Sequence, residues 1–271
     1  TQYKFNLVCL DRASGKVLWE ETVCQVKPHQ GHHKDHGYAS FSPVTDGKYV
    51  WAQFGSRGIY CYDVKGKKIW GKELPQMRTM FGEGSSPALA GNALIVVSDQ
   101  QGESFIFAFN KLTGDLLWKK ARDEETSYAT PLPVKVDGKL QVVASATNRV
   151  RAYDAQTGDV IWECAGQTRN VIPTPVVGFG MVYCTSGFRG SALHAIKLGQ
   201  TGDLTNSDAI AWQVKEGTPY VPSSLLYDGR LYVCSVSREV ISCYDPQIGT
   251  ATLTVPKLDG RKAVYTSPKT P

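Results

Sequence analysis

A motif of ten or eleven residues recurs along the chain, and this recurrence constrains the fold more than any other feature. Four clear copies are CLDRASGKVLW (9–19), CYDVKGKKIW (61–70), AFNKLTGDLLW (108–118) and AYDAQTGDVIW (152–162), and looser copies follow at 195–212 and 243–253. A tryptophan closes five of the six copies and Leu253 closes the sixth, at intervals of 41–51 residues. The tryptophans are Trp19, Trp70, Trp118, Trp162 and Trp212. A period of this length is typical of proteins built from repeated structural units.

Each unit divides into four short strands. In residues 38–73, the runs YASFSPVT, YVWAQF, IYCYD and KIWGKEL alternate or are rich in β-branched and aromatic residues, and Gly-containing segments separate them. The D-x-x-T-G part of the motif suits a tight hairpin, because Asp caps the turn and Gly accepts a positive φ. No stretch has convincing helical periodicity. Four-stranded units at this spacing predict an all-β chain folded as a β-propeller.

The repeat also sets the expected domain organisation. We expect a single propeller domain over 1–271, in which the chain begins on the outer two strands of one blade and ends on the first strand of another. The predicted parts are a half blade at 1–24, blades at about 38–73, 84–120, 128–164, 172–214 and 220–255, and the start of another blade at 263–271. Because full propellers usually have 4–8 blades, we expect this chain to be part of a longer propeller of about eight blades.

Composition excludes several classes of function. The net charge is +5 without a clustered basic stripe, so the sequence does not indicate a nucleic-acid-binding protein. No apolar run is long enough to span a membrane. The seven cysteines include no C-x-x-C pair, and Cys9, Cys61 and Cys243 share a repeat position that Ala fills elsewhere. We therefore expect free thiols in small buried positions.

The tandem A-x-D-x-x-T-G-x-x-x-W units resemble the PQQ-like repeat propellers, a superfamily that includes quinoprotein alcohol dehydrogenases and the BamB-like proteins. HGYASFSPVTDGKYVWAQFGSRGIYCYD (36–63) and SYATPLPV (127–134) are similar to secreted propellers of planctomycete-type bacteria. The resemblance implies a periplasmic or secreted location. It leaves the function open, because one fold hosts many activities.

The resemblance to quinoproteins does not extend to their cofactor site. Quinoprotein dehydrogenases of this superfamily carry two adjacent cysteines and a Glu/Asn/Asp calcium set with a catalytic Asp. This chain has no two adjacent cysteines and no recognisable set of that kind. We therefore expect no catalytic residues and no bound cofactor, and the sequence argues against PQQ.

One face of the predicted propeller carries longer and more irregular loops than the other. Arginines recur at matching places in the loops between second and third strands of the units, and further ones lie in the loops between units. The first group is Arg57, Arg149, Arg189 and Arg238, and the second is Arg78, Arg122 and Arg169. These side chains could form a ring that binds an anion or peptide. The alternative is ordinary loop charge that pairs with Asp123, Glu124 or Glu239.

The segment PHQGHHKDHGYAS (28–40) lies on the same predicted face and holds His29, His32, His33 and His36. Four histidines could bind a metal such as Zn, Ni or Cu if three or more converged. The other interpretation is a polar connector between blades, which we favour because no rigid element sets the spacing. An unshifted histidine titrates near pH 6.5, so we expect this loop to gain positive charge below about pH 6.

Two functional hypotheses follow. The first is a non-catalytic propeller scaffold outside the cytoplasm that binds a protein, peptide or glycan partner through the face with the histidines and arginines. The second is an enzyme of the quinoprotein or metal-assisted type that uses the same face. Partner capture predicts binding without a bound cofactor, whereas the enzyme predicts a metal or quinone in the purified protein.

Overall fold

A computed structural model of the protein describes residues 1–235 and 240–255. Strands and loops account for this part of the chain apart from one 3-10 turn at Gly55–Arg57. The predicted all-β class is confirmed. No helix among the described residues has the length and apolar character needed to cross a membrane. The predicted blade start at 263–271 lies outside the described residues.

The strands form one two-stranded hairpin and five larger sheets, which follow one another along the chain. The N-terminal hairpin is β1 (Tyr3–Leu10) and β2 (Val17–Val26). Sheet 1 is β3 (Val44–Thr45), β4 (Tyr49–Gln53), β5 (Ile59–Asp63) and β6 (Lys68–Lys72). Sheet 2 is β7 (Ala88–Ala90), β8 (Ala93–Ser98), β9 (Ser104–Asn110) and β10 (Leu116–Arg122).

The remaining three sheets continue the same order. Sheet 3 is β11 (Leu132–Val136), β12 (Lys139–Ala144), β13 (Arg149–Asp154) and β14 (Val160–Ala165), with β18 (Gly202–Asp203) added at its outer edge. Sheet 4 is β15 (Val176–Gly178), β16 (Met181–Ser186), β17 (Ala192–Lys197) and β19 (Ile210–Val214). Sheet 5 is β20 (Leu225–Tyr227), β21 (Arg230–Ser235), β22 (Val240–Tyr244) and β23 (Ala251–Val255). Neighbouring strands are antiparallel except for β14 and β18, which are parallel.

The hydrophobic core lies between neighbouring sheets. Trp51 and Ile59 of sheet 1 pack against Leu94 and Val96 of sheet 2 in one cluster of fully buried side chains. Similar clusters join the hairpin to sheet 1 and each later sheet to the next. Sheets 1 to 4 therefore each bury both faces against their neighbours, as the blades of a propeller do.

Four of the five repeat tryptophans make the same joint to the following sheet. The Trp118 ring covers Gly158 so closely that a methyl group on that glycine would lie 2.6 Å from it. The indole Nε1 of Trp118 donates to the carbonyl of Ala155, 3.1 Å away, in the same turn. The other pairs are Trp19 with Gly66, Trp70 with Gly114 and Trp212 with Gly249. The Trp and Gly of the repeat are thus contact partners in consecutive units.

Trp162 departs from this pattern because of the insertion that contains β18. Leu204, which is 5% exposed, packs in the cluster that contains Trp162, and the Leu204 amide donates to the carbonyl of Glu163. Trp162 is fully buried, but its Nε1 has no hydrogen-bond partner among the described residues. The four-strand prediction missed this fifth strand.

The cysteines occupy interior or half-buried positions without a bridge. Cys61, Cys164, Cys184 and Cys243 are buried, and Cys9, Cys24 and Cys234 are half-buried. Burial raises the pKa of the Cys164 thiol to about 11, because the thiolate would lose its hydration. This thiol is therefore unreactive at neutral pH.

Candidate functional site

Loops on one side of the sheets form the surface that we call the loop face. It contains the segments that join one unit to the next and those that join the second strand of a sheet to the third. The first set is 27–43, 73–87, 123–131, 166–175 and 215–224, and the second is 54–58, 99–103, 145–148 and 187–191. The short hairpin turns on the opposite side form the turn face.

Glu83 is a buried hub that fastens three parts of the loop face together. Its side chain is 1% exposed and accepts hydrogen bonds from the Ser56 amide at 2.6 Å and the Ser56 hydroxyl at 2.7 Å. Arg57 Nη2 and Gln30 Nε2 each donate to the same carboxylate at 3.0 Å. The histidine segment, the 3-10 turn and the loop 73–87 therefore hold fixed positions relative to one another.

The structure places Arg57 in the interior and not on an exposed ring. Its Nε donates to the carbonyl of Phe54 at 2.8 Å, and its guanidinium lies 5.2 Å from the centre of the Phe5 ring. The pair with Glu83 compensates its charge. Arg57 is thus a structural residue, and the prediction of an exposed binding side chain is corrected by the burial of this turn.

The four histidines lie in an irregular segment but have separate partners. His29 Nε2 lies 2.7 Å from the Met77 carbonyl, and His36 Nδ1 lies 2.6 Å from the Ser40 hydroxyl. His32 Nδ1 lies 2.7 Å from the His33 carbonyl, and the His33 ring contacts Phe81. Among the described residues, no group of three or more His, Cys, Asp or Glu side chains is placed to hold a metal ion.

His36 is the most enclosed of the four. Its ring packs against Gly82, where an added methyl group would lie 2.6 Å away. Burial lowers the pKa of His36, and the charges of His32 and His33 act in the same direction. His36 therefore remains neutral to a lower pH than an exposed histidine, and it adds less to the expected charge of the loop in mild acid.

A second network of ion pairs, buried at Arg122 and partly exposed at Arg149, explains two more arginines. Arg122 lies on β10 and forms a two-pronged pair with Asp99, with distances of 2.7 and 3.0 Å, in which both side chains are at most 1% exposed. Arg149, which was also predicted on the ring, pairs with Asp203 at 3.0 Å and Glu163 at 3.1 Å. Arg122 and Arg149 are thus paired with acidic side chains, as the alternative of ordinary loop charge proposed. Their partners are Asp99, Glu163 and Asp203, which are not the acids that we expected.

Glu124 lies at the centre of this network, together with an arginine that sequence analysis missed. Arg151 contacts Asp123, Glu124 and Glu163, and the backbone amides of Asn148 and Arg149 also donate to Glu124. Burial raises the pKa of Glu124 to about 7, and the charge of Arg122 acts against that rise. Arg151 gave no signal in the sequence, because its place in the repeat is not otherwise cationic.

Three predicted arginines are exposed on the loop face: Arg78, Arg169 and Arg189. Arg78 donates to the carbonyl of Gln101 at 3.2 Å. Arg169 lies 3.7 Å from Glu125, and both side chains are more than half exposed, so this pair is weak. Arg189 lies over the Phe188 ring at 5.3 Å. Arg238 lies outside the described residues.

An aromatic cluster that sequence analysis did not predict adjoins two of these cations, Arg169 and Arg189. Phe81, in the loop 73–87, contacts Phe188, in the loop 187–191, with ring centres 6.0 Å apart. Phe188 also meets Tyr220, which precedes sheet 5, at 5.0 Å. The available signal was one aromatic residue in each of three different loops, next to a glycine in two of them. The cluster joins sequence-distant loops into one apolar platform.

Comparison of the sequence with known proteins identifies a family and several relatives of this chain. The family described as outer membrane protein assembly factor BamB matches residues 4–252. The BamB of Bordetella pertussis is 30% identical over 115 residues, which is 42% of this chain and 28% of that protein. The BamB of Francisella salina is 30% identical over 98 residues, which is 36% of this chain and 17% of that protein. The chain thus spans less than a third of the length of these curated relatives.

Solved structures show the same fold. The crystal structure of BamB from Moraxella catarrhalis aligns with a TM-score of 0.64 at 16% identity, covering 96% of this chain and 72% of that one. Quinohemoprotein alcohol dehydrogenase from Comamonas testosteroni aligns with a TM-score of 0.66 at 13% identity, covering 97% and 58%. The predicted propeller with PQQ-like repeats is confirmed, and the number of blades in the full protein stays a prediction.

Proposed function

The chain belongs to the family of the outer membrane protein assembly factor BamB, and we propose that it is a non-catalytic scaffold that binds a protein partner through its loop face. The relatives are named as assembly factors, and assembly requires contact with other proteins. By the same relationship we propose a periplasmic location.

The contrast between buried and exposed arginines is the observation that supports the loop face as the partner-binding surface. Buried carboxylates form ion pairs with Arg57, Arg122 and Arg151, and these pairs hold the loops in place. Arg78, Arg169 and Arg189 remain exposed on the loop face, and Arg169 and Arg189 adjoin the aromatic platform at Phe188. A rigid surface with exposed arginine and aromatic side chains has the composition of the energetic centres of protein interfaces. Its rigidity also reduces the entropy lost on binding.

The enzyme hypothesis receives less support. The dehydrogenase alignment is at 13% identity, which indicates a shared fold alone. The sequence has no adjacent cysteines of the kind that the quinoprotein resemblance requires. Burial also makes Cys164 a poor nucleophile.

Site-specific photo-crosslinking in the native host tests the proposal. A photoreactive amino acid replaces Lys34 or Met80 on the loop face, with Arg12 or Lys65 on the turn face as matched controls. We expect a discrete protein adduct from the loop-face positions only. Adducts from the turn face alone, or a quinone absorption band or stoichiometric metal in the purified protein, would contradict the proposal.

The histidine segment adds a pH test of the same surface. Protonation of exposed histidines would add positive charge, so capture of an anionic partner should strengthen below about pH 6 and weaken with salt. The crosslinked partner's affinity is measured at two pH values and two salt concentrations, with and without alanine at His32, His33 and His36. An unchanged pH response in that variant would remove the histidines from the interface.

A further inference from the structure

Arg189 has a backbone conformation that its residue type disfavours. Six non-glycine residues among those described have a positive φ, and four of them are Asn or Asp. Arg189, with φ of 53°, is one of the other two. A long side chain in the left-handed region costs conformational energy, and such strain concentrates at functional sites. The loop therefore holds this arginine in place against a local preference.

Contacts with two other loops hold the segment that leads to Arg189. A methyl group on Gly187 would lie 2.6 Å from the carbonyl oxygen of Pro219, so the chain turns there with no room for a side chain. Ser186 accepts a hydrogen bond from the Thr218 hydroxyl at 2.6 Å through its carbonyl, and from the Thr168 amide at 2.8 Å through its hydroxyl. Loops from both neighbouring connections thus clamp the segment that precedes Arg189.

The loop 187–191 places the cation of Arg189 beside the aromatic platform. The Arg189 guanidinium lies 5.3 Å from the centre of the Phe188 ring, and Phe188 packs against Tyr220 and Phe81. Arg169 and Phe188 form an antiparallel backbone bridge, which brings a second exposed arginine next to the aromatic platform. Arg189 makes no ion pair with an acidic side chain in the part of the chain that the structure describes.

We propose that Arg189 and Phe188 form a subsite for an acidic peptide segment in which an aromatic side chain adjoins a carboxylate. The carboxylate pairs with the planar guanidinium of Arg189, and the aromatic ring packs on Phe188. Arg169 supplies additional positive charge, which the weakly held Glu125 only partly offsets. This subsite rests on the proposed function, since it states the chemistry that the loop face recognises in its partner.

Fluorescence anisotropy with defined peptides tests the subsite. The probe is a labelled GGEFDGG peptide with an amidated C-terminus, compared with GGQFNGG, which lacks the charges, and GGEADGG, which lacks the ring. A fourth peptide, GGGGGGF with a free C-terminus, distinguishes a terminal carboxylate from a side-chain carboxylate. We expect the wild-type protein to bind GGEFDGG at least about tenfold more tightly than either neutralised or ring-deleted peptide, the loss typical of one charge-assisted or aromatic contact.

Two variants of Arg189 and one control variant test whether Arg189 is responsible for the binding. Arg189→Gly should weaken binding of GGEFDGG by about tenfold or more while the melting temperature stays equal or rises, because glycine removes the strain together with the charge. Arg189→Lys should retain part of the affinity, since it keeps the charge but loses the planar fork. Arg12→Gly, on the turn face, is the control and should bind as the wild type does.

Equal binding of the charged and neutral peptides, or unchanged binding by Arg189→Gly, would overturn the subsite. Preference for GGGGGGF with a free C-terminus would replace the side-chain carboxylate by a terminal one and would also overturn the proposal as stated. If loop-face crosslinking persists without any peptide preference, the subsite fails and the partner-binding function stands. If crosslinking fails as well, both fail.

Discussion

Gly158 and Gly138 share a left-handed backbone, with φ of 73° and 80°, but only Gly158 lies beneath a tryptophan. Gly158→Ala should cost about 2–5 kcal/mol, since it adds overpacking against Trp118 to the backbone penalty. Gly138→Ala meets open space and should cost only about 1–2 kcal/mol. The free energies of unfolding in urea measure the difference. Equal costs would show that the tryptophan contact does not contribute to stability.

Phe179 is the second residue with an unfavourable positive φ, at 52°, and it is 48% exposed on the turn face. The corresponding hairpins of sheets 3 and 5 have Asp137-Gly138 and Asp228-Gly229 at the same place. Phe179→Asp should therefore stabilise the fold by about 1 kcal/mol, because Asp tolerates this conformation in a two-residue hairpin. The reciprocal change Asp228→Phe should destabilise it by a similar amount. Urea unfolding of both variants tests the pair, and a loss of stability in Phe179→Asp would contradict the strain argument.

Single residues show where sequence reasoning succeeds and where it ends. The Trp and Gly of the repeat were recognisable because they recur at fixed spacing, and their contact is the same in four joints. The burial of Arg57 was not recognisable, because it depends on Glu83, which lies 26 residues away in a loop that does not follow the repeat. Whether an arginine is structural or free to bind a partner depends on its surroundings in the fold, and the residue type alone does not determine it.

At the scale of the element, β18 covers an outer strand that the other sheets leave open. Leu204 is 5% exposed in the cluster with Trp162, whereas Leu112 in the turn of sheet 2 is 46% exposed. Leu204→Ala should cost about 2–4 kcal/mol through lost burial and a residual cavity, and Leu112→Ala should cost less than about 0.5 kcal/mol. Thermal and urea unfolding provide the comparison. Equal effects would mean that the inserted strand does not stabilise sheet 3.

This insertion also marks the limit of strand prediction. The sequence LGQTGDLTNSDA (198–209) contains the Thr-Gly-Asp triplet of the repeat, so it resembles an ordinary turn. In the structure, the extra residues reach back to the preceding sheet and pair in parallel with β14. Local propensity cannot identify this pairing, because the hydrogen bonds of an edge strand depend on which segment lies next to it.

At the scale of the whole molecule, the buried acid Glu124 links stability to pH. Its pKa of about 7 in the folded protein exceeds the ordinary value of 4.5, so the folded state keeps a proton that the unfolded chain has lost. The unfolding free energy should therefore fall by about 3 kcal/mol as pH rises from about 4.5 to about 7 through this group.

Glu124→Gln tests that linkage because it keeps the shape of the side chain without its titration. Relative to wild type, this variant should gain about 3 kcal/mol of stability between pH 5 and pH 8. Glu125→Gln alters an adjacent exposed acid and is the matched control. Urea unfolding at several pH values measures both. Parallel pH profiles for wild type and Glu124→Gln would exclude Glu124 as the source.

The overall architecture followed from the sequence, whereas most of the loop face did not. Alternating strands and turn residues repeat with the sheets, and each unit supplies several independent signals. The aromatic platform depends on Phe81 and Phe188, which are more than 100 residues apart and share no repeat position. Such contacts arise only when the circular arrangement brings distant loops together.

The joint between tryptophan and glycine also bears on how such a chain can change during evolution. Each ordinary unit carries its own tryptophan for the following unit and its own glycine turn for the preceding one. A duplicated unit therefore arrives with both halves of a complementary contact, and a deleted unit removes one half from each side. The remaining halves still match. Gain or loss of whole units is consequently a conservative event for these proteins, in contrast to a shift of a few residues within a unit.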